Sequence, residues 1–431
     1  MNHMKRSLAA VGLTAVAALV VAGCSAGSGP AESSGPIEIE YLGWVSELQD
    51  AIDIWNKENP DIQVKLRTTT GSDEANPAIR AGVQAGNAPC MAQMAYFSLP
   101  NFVADDLLMP ITDVAAQYQD KFLDWTWASA SAGGEVYGIP QDSGPMVMYY
   151  NQDEFAKFGI EVPTTWEEYA ADAAKVKAQD PTVSLGFLGP DDVGAYAGLV
   201  AQAGGRWTTI DGDEWKVGIN DTGSLKVANF WQDLLDKKLV TITPRYDAGL
   251  FPQLIDHKIL SFVGASWNYT TLPDNVPDQA GQWRVAQMPK WEGSEDTANH
   301  GGSASVVLKG CKHPAEAAKF ATWLNSSDES MDILIRGGLY PAANDAFNLD
   351  VLKQGVDYYG GQVVYDEFAA SAKNVDTSWT FGPTYDATAT AYTDGLASVA
   401  SGQGTFVDVA NDVQKSTLAD MKDRGISASA E

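Results

Sequence analysis

From Ile37 to Leu42 apolar and polar side chains alternate, the period-two pattern of a strand with one buried face. Leu48, Ala51, Ile52 and Trp55 then recur at helical spacing up to the break at Asn59-Pro60, and Ile62 to Leu66 alternates again. Strand, helix and strand in so short a stretch predict a parallel pair with a right-handed crossover. Ligands of such sheets bind beyond the carboxyl ends of the strands, which puts Trp44 at the mouth of a crevice. Residues 78–85 fit a helix ended by Gly86-Asn87-Ala88-Pro89, and the strand expected over Cys90 to Tyr96 again has an aromatic ring at its carboxyl end.

The densest signals lie between Tyr137 and Val176. The polar run Gln141-Asp142-Ser143-Gly144-Pro145 precedes an apolar strand, Met146 to Tyr150. A helix follows, with Asn151 as its cap, Glu154 three residues on, Phe155 and Phe158 on its apolar side, and Gly159 in the left-handed position that ends it. After Pro163, Thr165 and Glu168 make a capping box, and Trp166, Tyr169, Ala170 and Ala173 form one buried helical face.

Farther on, the pattern predicts a strand over 183–188, a helix over 196–203 and a hairpin over 207–219 that turns at Asp211-Gly212-Asp213. That acidic turn lacks the longer run of oxygen ligands and the closing Glu of a calcium loop, so no metal is expected there. A helix runs through Val227, Phe230, Trp231 and Leu234, a strand from Leu260 to Gly264 leads into Trp267, and Leu272 to Pro289 reads as a long Pro-rich loop. A strand over 304–308, a helix opened by Pro314 with Ala317, Phe320, Ala321 and Leu324 on one face, and two helical patterns after Asp386 complete the chain.

At 431 residues the chain suits two or three domains, and 45% hydrophobic with 19% charged residues describes a globular protein with a sizeable core. Acidic residues outnumber Lys and Arg by 56 to 28, which argues against nucleic acid, an anionic membrane surface or a polyanionic substrate as partner. Residues 1–23 have the form of a lipoprotein signal peptide: Lys5 and Arg6, an apolar run from Ser7 to Val20, then Val21-Ala22-Gly23-Cys24 as cleavage box with Cys24 the lipidated residue. Residues 24–36, rich in Ser, Gly and Pro, read as a flexible tether.

Tyr137-Gly138-Ile139-Pro140 with Asp142 and Gly144, followed by Tyr149-Tyr150-Asn151, Phe155, Gly159-Ile160, Pro163 and Thr165-Trp166-Glu167-Glu168, resembles the extracellular solute-binding proteins of ABC importers, in their maltose-binding-protein-like branch. Further landmarks are Gly86-Asn87-Ala88-Pro89, Gly301-Gly302-Ser303, Arg336 to Pro341 and Trp379-Thr380-Phe381-Gly382-Pro383, so the likeness spans nearly all of 37–425. Cys90 departs from it, standing where the family more often has an aspartate.

The resemblance implies an α/β, two-lobed periplasmic-binding-protein-like fold of type II, each lobe a central sheet flanked by helices, with three crossings at the hinge. The N-terminal lobe would comprise 37–142 and 300–341, the C-terminal lobe 143–299 and 342–431. It implies capture of a neutral oligosaccharide between the lobes, delivery to ABC permease subunits, no cofactor, and a lipid-anchored monomer outside the cytoplasm. It also implies a disulfide between Cys90 and Cys311: in that fold the strand after the second crossing lies antiparallel beside the strand begun by Cys90.

A sugar ring offers an apolar C–H face and an edge of hydroxyls, so its site combines flat aromatics with polar side chains. The aromatic candidates are Trp44, Tyr96, Trp267, Tyr340, Trp379 and Phe381, and the polar ones Gln141, Asp142 and Ser303, with Asp142 at a lobe crossing. Gly301 and Gly302 serve either close backbone approach to a ligand or only the turn of a crossing. The competing class is a secreted glycoside hydrolase, which needs two opposed carboxylates. Against an enzyme stands the lack of G-x-S-x-G, H-E-x-x-H and P-loop motifs, and against a metal carrier the three unclustered histidines, His257, His300 and His313, of the mature chain.

Overall fold

A computed structural model describes residues 35–245 and 249–431; Cys24 and residues 1–34 lie outside the described residues. Strand β1 (Ile37–Gly43) pairs in parallel with β2 (Ile62–Thr68), and the helix Leu48–Glu58 between them buries Leu48, Ala51, Ile52 and Trp55, as their spacing requires. All five residues of β3 (Met91–Ala95) are buried, which fits its central place in the sheet. With β4 (Gly138–Pro140), β5 (Met146–Asn151), β6 (Ser261–Ala265), β7 (Trp283–Gln287) and β8 (Ser303–Val307), the chain builds two main sheets. One has the order β2-β1-β3-β8-β4 and the other β6-β5-β7.

β8 runs antiparallel to both β3 and β4. The register pairs Met91 with Val307, so the residue before β3 meets the turn after β8. Cys90 and Cys311 are joined there by a disulfide, with Cα atoms 4.5 Å apart. In the second sheet β5 is central and antiparallel to both neighbours. The helix Gln152–Phe158 follows β5 directly, capped by Asn151 and ended by Gly159 at φ 61°, and Thr165 with Glu168 forms a full capping box on the helix Trp166–Gln179. Here local sequence chemistry sets the element boundaries.

Three distant stretches meet beside β4 and β8. The Ser143 N–H donates to Tyr340 O at 2.9 Å, the Gly144 N–H to Gly301 O at 3.1 Å, and the His300 N–H to Gly144 O at 2.8 Å. Gly302, at φ 134°, is required by this junction: a Cβ there would lie 2.3 Å from the Asp142 carbonyl oxygen.

The expected Pro-rich loop over Leu272 to Pro289 is a correction. It contains the end of the helix Asn268–Asn275, which tolerates Pro273, and the strand β7. Alternation of Trp283 and Val285 with Arg284 carried the strand signal, but it is only five residues long and flanked by Pro277 and Pro289. The strand expected over 183–188 shrinks to Phe187–Leu188, paired in parallel with Thr241–Ile242.

Candidate binding site

Tyr96 follows β3 and is 1% exposed, yet its phenolic oxygen has no hydrogen-bond partner. Its ring meets the edge of Trp125 at 6.3 Å. These two rings, with Ser129 and Gly301, line a cleft of about 530 Å³, whose other lining residues come from the helix Val193–Gln202, Thr297, Asn299 and the loop from Val375 to Phe381.

On the helix, Gly194, Ala197, Gly198 and Ala201 recur at i, i+3, i+4 and i+7 and all border the cleft. The two glycines are there for the chain beside them: a Cβ on Gly194 would lie 2.4 Å from His300 Nε2, and one on Gly198 2.9 Å from Asn299 O. Their smallness lets the stretch 297–300 lie on the helix, which brings Thr297 and Asn299 to the cleft. Asp192 caps this helix through Ala195 N–H and pairs with His300 Nε2 at 2.9 Å and with Arg245 Nε. Burial alone raises the Asp192 carboxyl, but His300 and Arg245 outweigh it and hold the group well below the usual carboxylate range.

Of the residues singled out from the sequence, Tyr96, Trp379 and Phe381 line the cleft together. Trp44 is half-buried and packs in the same apolar cluster as Tyr96 and Phe381. Its backbone N–H donates to Gln93 Oε1 at 3.0 Å, and Gln93 Nε2 donates to Ser303 Oγ at 3.0 Å. Asp142 lies behind this pair, its Oδ1 accepting from Ser303 N–H at 2.7 Å and Ser303 Oγ–H at 2.6 Å. Burial pushes the Asp142 carboxyl up to about 6 against those two bonds. Gln141 is fully buried with its Nε2 unpartnered. Trp267 is half-buried, its ring 5.0 Å from that of His300, and Gly144 admits it: a Cβ would lie 2.4 Å from the indole. Tyr340, 3% exposed, packs among Phe347, Tyr365 and Phe368, apart from the lining residues.

Sequence reasoning missed Trp125, Asn299, Asp376 and Thr377. Trp125 shares a short helix with Trp127, and no spacing tells which of the two rings is buried. Asn299 had a usable signal, as a polar residue directly ahead of the His300-Gly301-Gly302 turn. Aromatic faces beside amide, hydroxyl and carboxylate groups suit a ring with one apolar face and a hydrogen-bonding edge. Asp376, paired with Arg206, is the carboxylate among the lining residues.

Residues 36–331 match the bacterial extracellular solute-binding protein family. The chain belongs to this family. This solute-binding protein is therefore a non-enzymatic component of a transport system, working outside the cytoplasm. It is 26% identical over 326 residues to the arabinooligosaccharide-binding protein of Halalkalibacterium halodurans, covering 73% of this chain and 72% of that one. It is 24% identical over 385 residues to the lactose-binding protein of Rhizobium radiobacter, covering 85% and 86%. Among solved structures, the galacto-N-biose-/lacto-N-biose I-binding protein of a Bifidobacterium longum ABC transporter, in complex with lacto-N-biose, is 32% identical. It superposes with a TM-score of 0.84 over 92% of this chain and 100% of its own. A binding protein from B. animalis subsp. lactis Bl-04 in complex with beta-1,6-galactobiose is 26% identical, with a TM-score of 0.83 over 91% and 100%. The α/β architecture of this solute-binding protein is thus that of the two-lobed sugar-binding proteins of ABC transporters.

Proposed function

We propose that this protein captures a short neutral oligosaccharide between two lobes and hands it to the permease of an ABC importer. The lobes are 37–142 with 300–341 and 143–299 with 342–431, and the hydrogen-bonded meeting of 142–144, 300–302 and 340–341 is the hinge. The carrying observation is the composition of the cleft: Tyr96, Trp125 and Gly301 from the first lobe and Asn299, Asp376, Trp379 and Phe381 from the second surround one volume. A ligand touching both sets stabilises the closed arrangement. Trp44 and Trp267 extend the aromatic walls, while Ser303, Gln141 and Asp142 hold the hinge side of the site, and Gly302 serves the hinge turn itself. Residues 1–23 direct export, Cys24 takes the lipid, and 24–36 tether the folded part to the membrane surface.

Lacto-N-biose, beta-1,6-galactobiose, lactose and arabinooligosaccharides, the sugars for which the relatives are named, make the first panel for a thermal-shift screen. A ligand of the native state raises stability by RT ln(1 + [L]/Kd), so a bound sugar raises Tm with its concentration. The expected result is a concentration-dependent shift with the sugar recovered intact by mass spectrometry. No shift across neutral oligosaccharides overturns the substrate class, and cleavage products accumulating over many turnovers move the function to a glycoside hydrolase.

A further inference from the structure

Two separate apolar clusters border the cleft, and charged side chains tie one to the other. Ala75, Ile79, Leu99 and Phe102 belong to the first, Tyr385, Tyr392, Val409 and Met421 to the second. Arg80, on the helix Ser72–Ala85, reaches Asp386 at 3.3 Å, and Arg424, just past the helix Phe406–Asp423, reaches Asp105 at 3.2 Å. The exchange is reciprocal, since each side supplies one Arg and one Asp. Each arginine is also held on its own side: Arg80 contacts Asp105 and lies 4.2 Å over the Phe102 ring, and Arg424 contacts Asp420 at 3.2 Å.

The start of the helix Tyr385–Ala400 is tied to the first cluster as well. Its own preceding residue, Thr384, makes no side-chain cap, and the Tyr385 N–H reaches the Gly382 carbonyl just ahead of the helix at 3.2 Å. Asn101, buried in the first cluster's helix, accepts the Tyr385 N–H at 3.0 Å, and Ser98 Oγ donates to Asp386 Oδ1 at 3.3 Å. The side-chain cap of this helix is therefore supplied across the cluster boundary, beside the local bond to Gly382. Tyr385 in turn packs on Phe381 at 5.1 Å and on Phe97 at 5.2 Å, so the same tie fixes the aromatic loop that lines the cleft.

We infer that Arg80, Asn101, Asp105, Asp386 and Arg424 form an electrostatic latch that holds the two lobes closed and so sets affinity without touching the ligand. The inference rests on the two-lobe reading proposed above. A latch of this kind raises the fraction of protein in the binding-competent state, and the apparent affinity for even a neutral sugar rises by that fraction. Because the four charges are part-exposed, salt screens them, which gives the closed state an ionic-strength dependence that stacking and hydroxyl contacts lack.

Small-angle X-ray scattering of the ligand-free protein at ~0.05 M and ~0.5 M sodium chloride tests it. The double variant Arg80→Gln/Arg424→Gln is compared with the charge-keeping Arg80→Lys/Arg424→Lys, with melting curves as the control for folding. At low salt the Gln variant should show a larger radius of gyration, with the closed-to-open ratio down about five-fold, the scale of two part-exposed ion pairs. The unmutated protein should approach it at high salt, and the Lys variant should stay near the unmutated protein. A radius that neither the substitutions nor the salt changes overturns the latch. If the Gln variant does not fold, the salt series on the unmutated protein decides alone. No sugar is used, so failure of the sugar-binding reading leaves this measurement intact.

Discussion

Replacing Asp142 by Asn removes a charge that the fold holds at a loss. Burial raises its carboxyl from 3.8 to about 6, although Ser303 N–H and Oγ–H both favour the charged form. At about 1.4 kcal/mol per pH unit, that gap makes the ionised group about 3 kcal/mol harder to bury than the neutral one. The folded value lies above the unfolded one, so the stability this group contributes is fully present below about 3.8 and is lost as pH rises through about 6. Lowering the pH from ~7.5 to ~5 should recover about 1 kcal/mol from this residue alone, equivalent to about 1–2 °C in Tm for a chain this long. The amide of Asn cannot ionise, yet its oxygen can still accept from the Ser303 N–H. Denaturant unfolding of both proteins at several pH values isolates the effect, because the other carboxylates titrate alike in both. The Asn variant should be the more stable by up to about 3 kcal/mol at pH ~7.5, with the gap about 1 kcal/mol smaller at pH ~5. A gap that does not change over this window, or a variant less stable throughout, would refute burial as the cause.

Substituting Ser for Cys90 and Cys311 opens a loop spanning 221 residues and should cost about 5 kcal/mol in the chain-entropy view; non-reducing peptide mapping that finds both thiols alkylated would remove the basis for this. Trp379→Ala should weaken binding of the best sugar of the panel by about 1–3 kcal/mol, read by calorimetry, because the ring lines the cleft while only half-buried against Trp207 and Phe381; unchanged affinity would take it out of the site. Gly302→Ala should destabilise by about 1–3 kcal/mol from backbone strain alone, since φ is 134° and the added Cβ would meet the Asp142 carbonyl; a thermal melt within error of the parent would contradict that.

By itself the sequence determined the elements whose signals are local. A capping box at Thr165 and Glu168, a left-handed Gly159, or the Leu48, Ala51, Ile52 and Trp55 stripe depends on residues within one or two turns, and each forms as the pattern requires. Recurring motifs carried the family likeness and, through it, the pairing of Cys90 with Cys311. Tertiary structure alone decided which rings meet one cavity. Trp125 joins Tyr96 and Trp379, whereas Tyr340 turns into a cluster with Tyr365 and Phe368, although all six are aromatic residues. It also decided that Asn101 caps a helix beginning 284 residues later and that Arg80 and Arg424 find their partners about 300 residues away in the chain, at Asp386 and Asp105. The physical reason is range: a cap or a periodic face is fixed by backbone geometry over a few residues, while a cavity wall and a long-range ion pair exist only after loops hundreds of residues long have closed.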